Sequence, residues 1–307
     1  MNTTIKLLTL TCILSCANLG AAQTKKPAET PATLPELTKQ SFDVEGHPES
    51  VVVDSNGDIY YTSIGEELNP TAKDGDGGIY VRPFGTHLSR KVAGELNAPK
   101  GMLLIDGYLY FTDVNMVMKM DPKNGQIMGY IDFSPYRVNF LNDLVKINYG
   151  RMVVSATDTN QLFILDPVTN TYAELVTKEP LNAPNGLAWD PNTKTLYVCE
   201  YSTDDKGKPN GRILTVNILT GEVSEVSSAK GQFDGIAIHN GNLYVSDWAK
   251  SGKPGAIQRC TLKAANRSYD TAAQAIDGPA DFTIFNNMIV IPGMKEKKIH
   301  IQPIPKK

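Results

Sequence analysis

The sequence predicts an all-β fold, a six-bladed β-propeller closed by an N-terminal strand that completes the last blade. Three observations carry the prediction. One strand–turn–strand pattern returns six times after Ser41. Helical periodicity is hard to find anywhere in that stretch. The chain also ends one strand short of a sixth repeat, while QSFDVEG forms an orphan strand before the first.

The repeats open at HPESVVVDSNGDIYYTS, APKGMLLIDGYLYFTD, LNDLVKINYGRMVVSAT, APNGLAWDPNTKTLYVCEYS, QFDGIAIHNGNLYVSDW and PADFTIFNNMIVIPG. Equivalent positions fall at residues 49, 100, 142, 185, 234 and 280. These spacings suit a four-stranded blade and exceed a leucine-rich or ankyrin unit. Between the first two strands stand hairpin signals: Asn56-Gly57, Asp106-Gly107, Asn192-Thr193, Asn240-Gly241 and Asn286-Asn287. Asn and Asp tolerate left-handed backbone, and Gly adopts it without strain. Third and fourth strands follow, as in GGIYVRP and RKVAG of the first copy. If the orphan strand supplies the outer strand of the last blade, no ragged edge remains.

Ahead of the propeller, assigned to 40–307, residues 1–22 read as a signal peptide and 23–39 as a flexible tether. Lys6 gives a positive start, Leu7 to Leu19 is mostly apolar, and Gly20-Ala21-Ala22 offers small residues for cleavage. A membrane span needs about 20 apolar residues, and this run is interrupted by Thr9, Thr11, Ser15 and Asn18. Cys16 sits in a loose lipoprotein-box pattern in which Leu14 fits poorly, so a lipid anchor there is the lesser reading. The tether is rich in Pro, Thr, Ala and Lys, without apolar periodicity. The expected location is periplasmic or secreted. Cleavage leaves Cys199 and Cys260, either disulfide-bonded, as an oxidising compartment permits, or two buried strand cysteines, the reading we favour.

A net charge of -3 and 21% charged residues describe an ordinary globular protein. No basic stripe suggests nucleic-acid binding. No GxSxG elbow, HExxH helix or Walker loop is present. The expectation is a monomer acting on a small-molecule substrate, with no nucleic-acid partner and no membrane span.

Inner strands of a propeller start near its axis, so the six openings place Glu49, Lys100, Asn142, Asn185, Asp234 and Ala280 in one ring. Two carboxylates and two carboxamides are hard oxygen donors suited to Ca²⁺, with Mg²⁺ or Mn²⁺ as alternatives. The plain structural explanation is that Asn or Asp before Gly marks a turn. It does not account for Glu49, which precedes Ser, nor for donors at matching positions of four repeats.

Asn142-Asp143 running to Gly150-Arg151, PNGLAWDPNTKTLYVCEYS, FDGIAI with GNLYVSD, and Glu49-Ser50-Val51 resemble the senescence marker protein-30/gluconolactonase family of six-bladed propellers. The resemblance spans nearly the whole chain after the tether. It implies that Glu49, Asn142, Asn185 and Asp234 ligate one divalent metal. It further implies Asp234 as general base or nucleophile, with the metal polarising a lactone or ester carbonyl.

Two departures matter. Lys100 holds the ring position of the second blade, where an ammonium roughly 6 Å from a divalent ion would repel it by about 5 kcal/mol. Lys100 either bends away to Asp281 or Asp143, or replaces the metal; a catalytic role and a structural pairing with an acid weigh about equally. Phe140 stands where sugar-lactone hydrolases of the family tend to carry arginine, which favours a more apolar acyl substrate. Phe140, Asp143, His47 and Asp281 are the candidate substrate-binding residues. Loops GEELNPTAKDGDGG and YSTDDKGKPNG are candidates for a lid or for inert surface. The leading expectation is a metal-dependent hydrolase; the rival is a non-catalytic binding propeller in which Lys100 has displaced the metal.

Overall fold

The structure, a computed structural model, describes residues 34–248, 254–263 and 268–306. The expected signal peptide and most of the expected tether lie outside the described residues. The strands form six four-stranded antiparallel sheets. Blade one comprises Pro48–Val53, Ile59–Ser63, Gly77–Arg82 and Arg90–Leu96. Blade two is Pro99–Ile105, Tyr108–Asp113, Met116–Asp121 and Gln126–Asp132. Blade three follows with Leu141–Lys146, Met152–Ala156, Gln161–Asp166 and Thr171–Glu174. Blade four has Pro184–Asp190, Thr195–Glu200, Ile213–Val216 and Val223–Glu225. Blade five has Phe233–His239, Asn242–Asp247, Gly255–Thr261 and Asp270–Ile276. Blade six takes three strands from the C-terminus, Thr283–Phe285, Met288–Gly293 and Lys298–Pro303, and its fourth, Gln40–Asp43, from the N-terminus.

That last pairing closes the fold as the sequence predicts, with Ser41 opposite His300 and Phe42 opposite Ile299. Upstream, Pro35 accepts a hydrogen bond from the Asn286 side chain at 3.2 Å, and Leu37 packs against the blade six–blade one cluster. The hairpin signals hold in detail: Gly57, Asp106, Gly107, Asn240, Gly241 and Asn286 all have positive φ. At Asn192-Thr193 the left-handed residue is instead the next one, Lys194 (φ 52).

Strand side chains alternate between sheet faces, and here each apolar face meets a neighbouring blade. The core is therefore a set of clusters between blades. Ile79, Val81, Leu109 and Phe111 join blades one and two. Leu196, Val198, Val153 and Leu162 join three and four, and Val51, Tyr61, Ile299 and Ile301 seal six to one.

Near the axis the first two strands slip in register, between Pro48 and Val51, Pro99 and Met102, Leu141 and Leu144, Pro184 and Leu187, and Phe233 and Ile236. Such an irregularity re-aims side chains. The five dipeptides at these slips begin with Glu49, Lys100, Asn142, Asn185 and Asp234.

Candidate metal and substrate site

The ring residues Glu49, Lys100, Asn142, Asn185 and Asp234 all line one pocket of about 220 Å³. Its upper walls are mostly apolar, from Leu68, Pro70, Phe140, Trp248 and Met294. Ala280, the sixth ring position, is buried in an apolar collar with Ile64, Ala98 and Val114.

The residue after each ring position explains why the ring is so tight. A Cβ on Gly186 would sit 2.2 Å from the Asp234 carbonyl oxygen, and one on Gly101 2.5 Å from Asp143 Cα. A Cβ on Gly235 would lie 2.7 Å from Asp281 Cα. None of the three has positive φ. Gly therefore follows Lys100, Asn185 and Asp234 because neighbouring inner strands touch there, and turn chemistry is not the cause.

Second strands lock the ring from outside. Thr112 Oγ1 donates to the Asn142 carbonyl, Ser155 Oγ to the Asn185 carbonyl at 2.7 Å, and Cys199 Sγ to the Asp234 carbonyl at 2.8 Å. Each of these blades thus fixes the ring residue of the next. Cys199 and Cys260 are both buried and not joined in a disulfide, as the favoured reading expects; burial pushes the Cys199 thiol well up.

Four buried oxygens in this pocket lack a hydrogen-bond partner: Glu49 Oε2, Asn142 Oδ1, Asn185 Oδ1 and Asp234 Oδ1. They belong to the four residues that the resemblance implies as ligands. Unpartnered buried acceptors are costly and rare, and four from four blades in one pocket fit a hard cation. Among the described residues no three His, Cys, Asp or Glu come together as a metal site. Half of this donor set is carboxamide, which such a cluster excludes.

Asp234 carries a second contact, its Oδ2 accepting the Trp248 indole N–H at 2.8 Å. Burial, then the charge of Asp281, raises its pKa to about 7 against the pull of that bond. Burial and the nearby Asp234 and Asp281 push Glu49 well above the usual carboxylate range.

Asp143 and Asp281 are buried but do not line the pocket. Asp143 accepts from the Leu144 and Leu187 amides, both at 2.6 Å, and Asp281 Oδ2 from Ser50 Oγ at 2.6 Å. Burial and the charge of Asp281 raise Asp143 well above its ordinary value, and burial lifts Asp281 to about 7. His47 also stays outside the lining, its Nδ1 2.7 Å from the Met294 carbonyl oxygen. Phe140 is in the wall as expected.

Lys100 does not bend away to Asp281 or Asp143. Its ammonium donates to the carbonyls of Pro70 at 2.9 Å and Ala98 at 2.7 Å, with Nζ 5.2 Å from the centre of the Phe140 ring. Among the described residues no carboxylate pairs with it within 4.0 Å. Main-chain oxygens outcompeted the acids because the blade-one loop brings Pro70 over the side chain. Burial lowers its pKa to about 8, offset by the charges of Glu49 and Asp113.

That loop is pinned further by Lys73 to Asn139 at 3.2 Å and by Lys297 to Glu66 at 3.2 Å. It contributes Leu68 and Pro70 to the wall. From the blade-four loop, only Tyr201 at its base reaches the pocket.

Thr157, Tyr201, Trp248 and Met294 were not singled out by sequence. Each immediately follows the second strand of its blade, so the same repeat register that found the lower ring would have found this upper one.

No family model matches the chain, and no curated protein matches it. Solved structures do. The nidogen/laminin complex is 13% identical with a TM-score of 0.61, covering 76% of this chain and 88% of that one. Luciferin-regenerating enzyme is 13% identical with a TM-score of 0.61, covering 86% and 94%. A catalytically inactive variant of virginiamycin B lyase from Staphylococcus aureus, solved with quinupristin, is 14% identical with a TM-score of 0.55, covering 87% and 99%. These likenesses establish the propeller. The senescence marker protein-30/gluconolactonase family in particular is not confirmed by them, and propellers host both enzymes and binding proteins.

Proposed function

We propose that the protein is an exported, metal-dependent hydrolase of small lactone- or ester-like molecules. The observation that carries this reading is the set of four unpartnered oxygens from Glu49, Asn142, Asn185 and Asp234 facing one pocket. These residues would hold one divalent cation, Ca²⁺ before Mg²⁺ or Mn²⁺. Such a cation supplies Lewis-acid polarisation of the scissile carbonyl.

The chain's own residues do the rest. Asp234 has its Oδ1 facing the cation site, and its Oδ2 accepts the Trp248 indole N–H. It would use its Oδ2 side to take a proton from water as the water adds to the carbonyl carbon, or to attack that carbon and displace the alkoxide before water hydrolyses the acyl group. Phe140, Leu68 and Met294 exclude water and accept an apolar acyl or ring portion. Apolar walls disfavour a polyhydroxylated sugar lactone.

The test is Asp234→Asn assayed against a panel of lactones and aryl esters. Turnover should fall at least a hundredfold while the fold is retained. Turnover unchanged by the substitution would refute the role of Asp234, and a wild-type protein inert to the whole panel would favour the binding-propeller reading.

A further inference from the structure

Lys100 is fully buried in the pocket wall, yet its ammonium has three N–H donors and, among the described residues, two hydrogen-bond acceptors, the carbonyls of Pro70 and Ala98. Neither acceptor is charged, so its positive charge is unpaired within 4.0 Å among the described residues. Burying an unpaired cation is costly. Its position among the pocket-lining residues turns that cost toward a ligand.

The charges nearby point the same way. Among the lining residues Glu49 and Asp234 are the carboxylates and Lys100 the cation. With a divalent ion on the four ring oxygens the two lining carboxylates are matched by that ion, and Lys100 is the lining charge left without a direct counter-charge. Asp143 and Asp281, outside the lining, are occupied by backbone amides and by Ser50. Phe140 and Pro70 beside the ammonium exclude water, which strengthens a charge-assisted hydrogen bond made there.

We infer that Lys100 is a specificity residue that receives an anionic oxygen of the ligand, so that the pocket takes small molecules joining an apolar body to a carboxylate-like group. The inference rests on the proposed function only in placing the substrate in this pocket.

The test compares benzoate with benzamide, which share size and shape, by calorimetric titration of the full chain in calcium. Benzoate should bind at least tenfold more tightly, a difference of about 1.4 kcal/mol. Lys100→Met should abolish that preference while leaving calcium binding intact. If Lys100→Met does not fold, Lys100→Gln, whose amide keeps a contact to the carbonyls, makes the same comparison. Equal binding of the two probes to the wild type overturns the inference. A benzoate preference that survives in the variant also overturns it, since the carboxylate then binds elsewhere. Separately, a Lys100-dependent preference in a protein that never binds calcium would uphold the inference while the hydrolase reading fails.

Discussion

Raising the pH of the metal-free protein should destabilise it, against the usual behaviour of carboxylates held in salt bridges. Glu49, Asp143, Asp234 and Asp281 are buried together, and all four have raised pKa values, Asp234 and Asp281 to about 7. In the unfolded chain they titrate near 4. Between about pH 4 and 7 the folded state therefore binds protons that the unfolded chain has lost, and stability declines as pH rises through that window. A rise of about three units in one group corresponds to about 4 kcal/mol. Because the four share one cluster, their effects do not add, and a total on the order of several kcal/mol is expected. The assay is urea unfolding in chelator at pH 5 and pH 8. The midpoint should be lower at pH 8, calcium should recover most of the difference, and Asp281→Asn should flatten the dependence. A midpoint equal or higher at pH 8 in chelator would refute the reasoning.

Other outcomes follow from the packing. Arg212→Ala should cost about 3 kcal/mol, read as a lowered urea midpoint: Arg212 pairs with Glu200 at 2.7 Å, and Glu200, 1% exposed, would be left charged and buried. Reductant should leave the melting temperature unchanged, and alkylation of the denatured chain should label both Cys199 and Cys260.

Much of the fold was legible because its signals are local. Asn240-Gly241 and Asp106-Gly107 adopt the left-handed geometry their types favour, and the missing strand of blade six could be counted. The lower ring was legible because register repeats with the blade. The reason for its glycines was not, because the contact of Gly186 with Asp234 exists only once two blades meet. Lys100 shows the same limit. Its partner, Pro70, lies in a loop with no periodic signal, and sequence offers no reason to prefer a carbonyl over an acid. Trp248 was within reach, directly after Ser246-Asp247 at the end of a recognisable strand. Finding it requires aligning the ends of the second strands, whereas the ring emerges from the starts of the first.

The most direct measurement is the calcium content of the purified protein, with its melting temperature in calcium and in chelator. The account predicts about one ion per chain and a melting temperature that drops on chelation, with both effects lost when Asn142 and Asn185 are changed together to Leu. No bound ion, and a melting temperature indifferent to calcium and chelator, would contradict it.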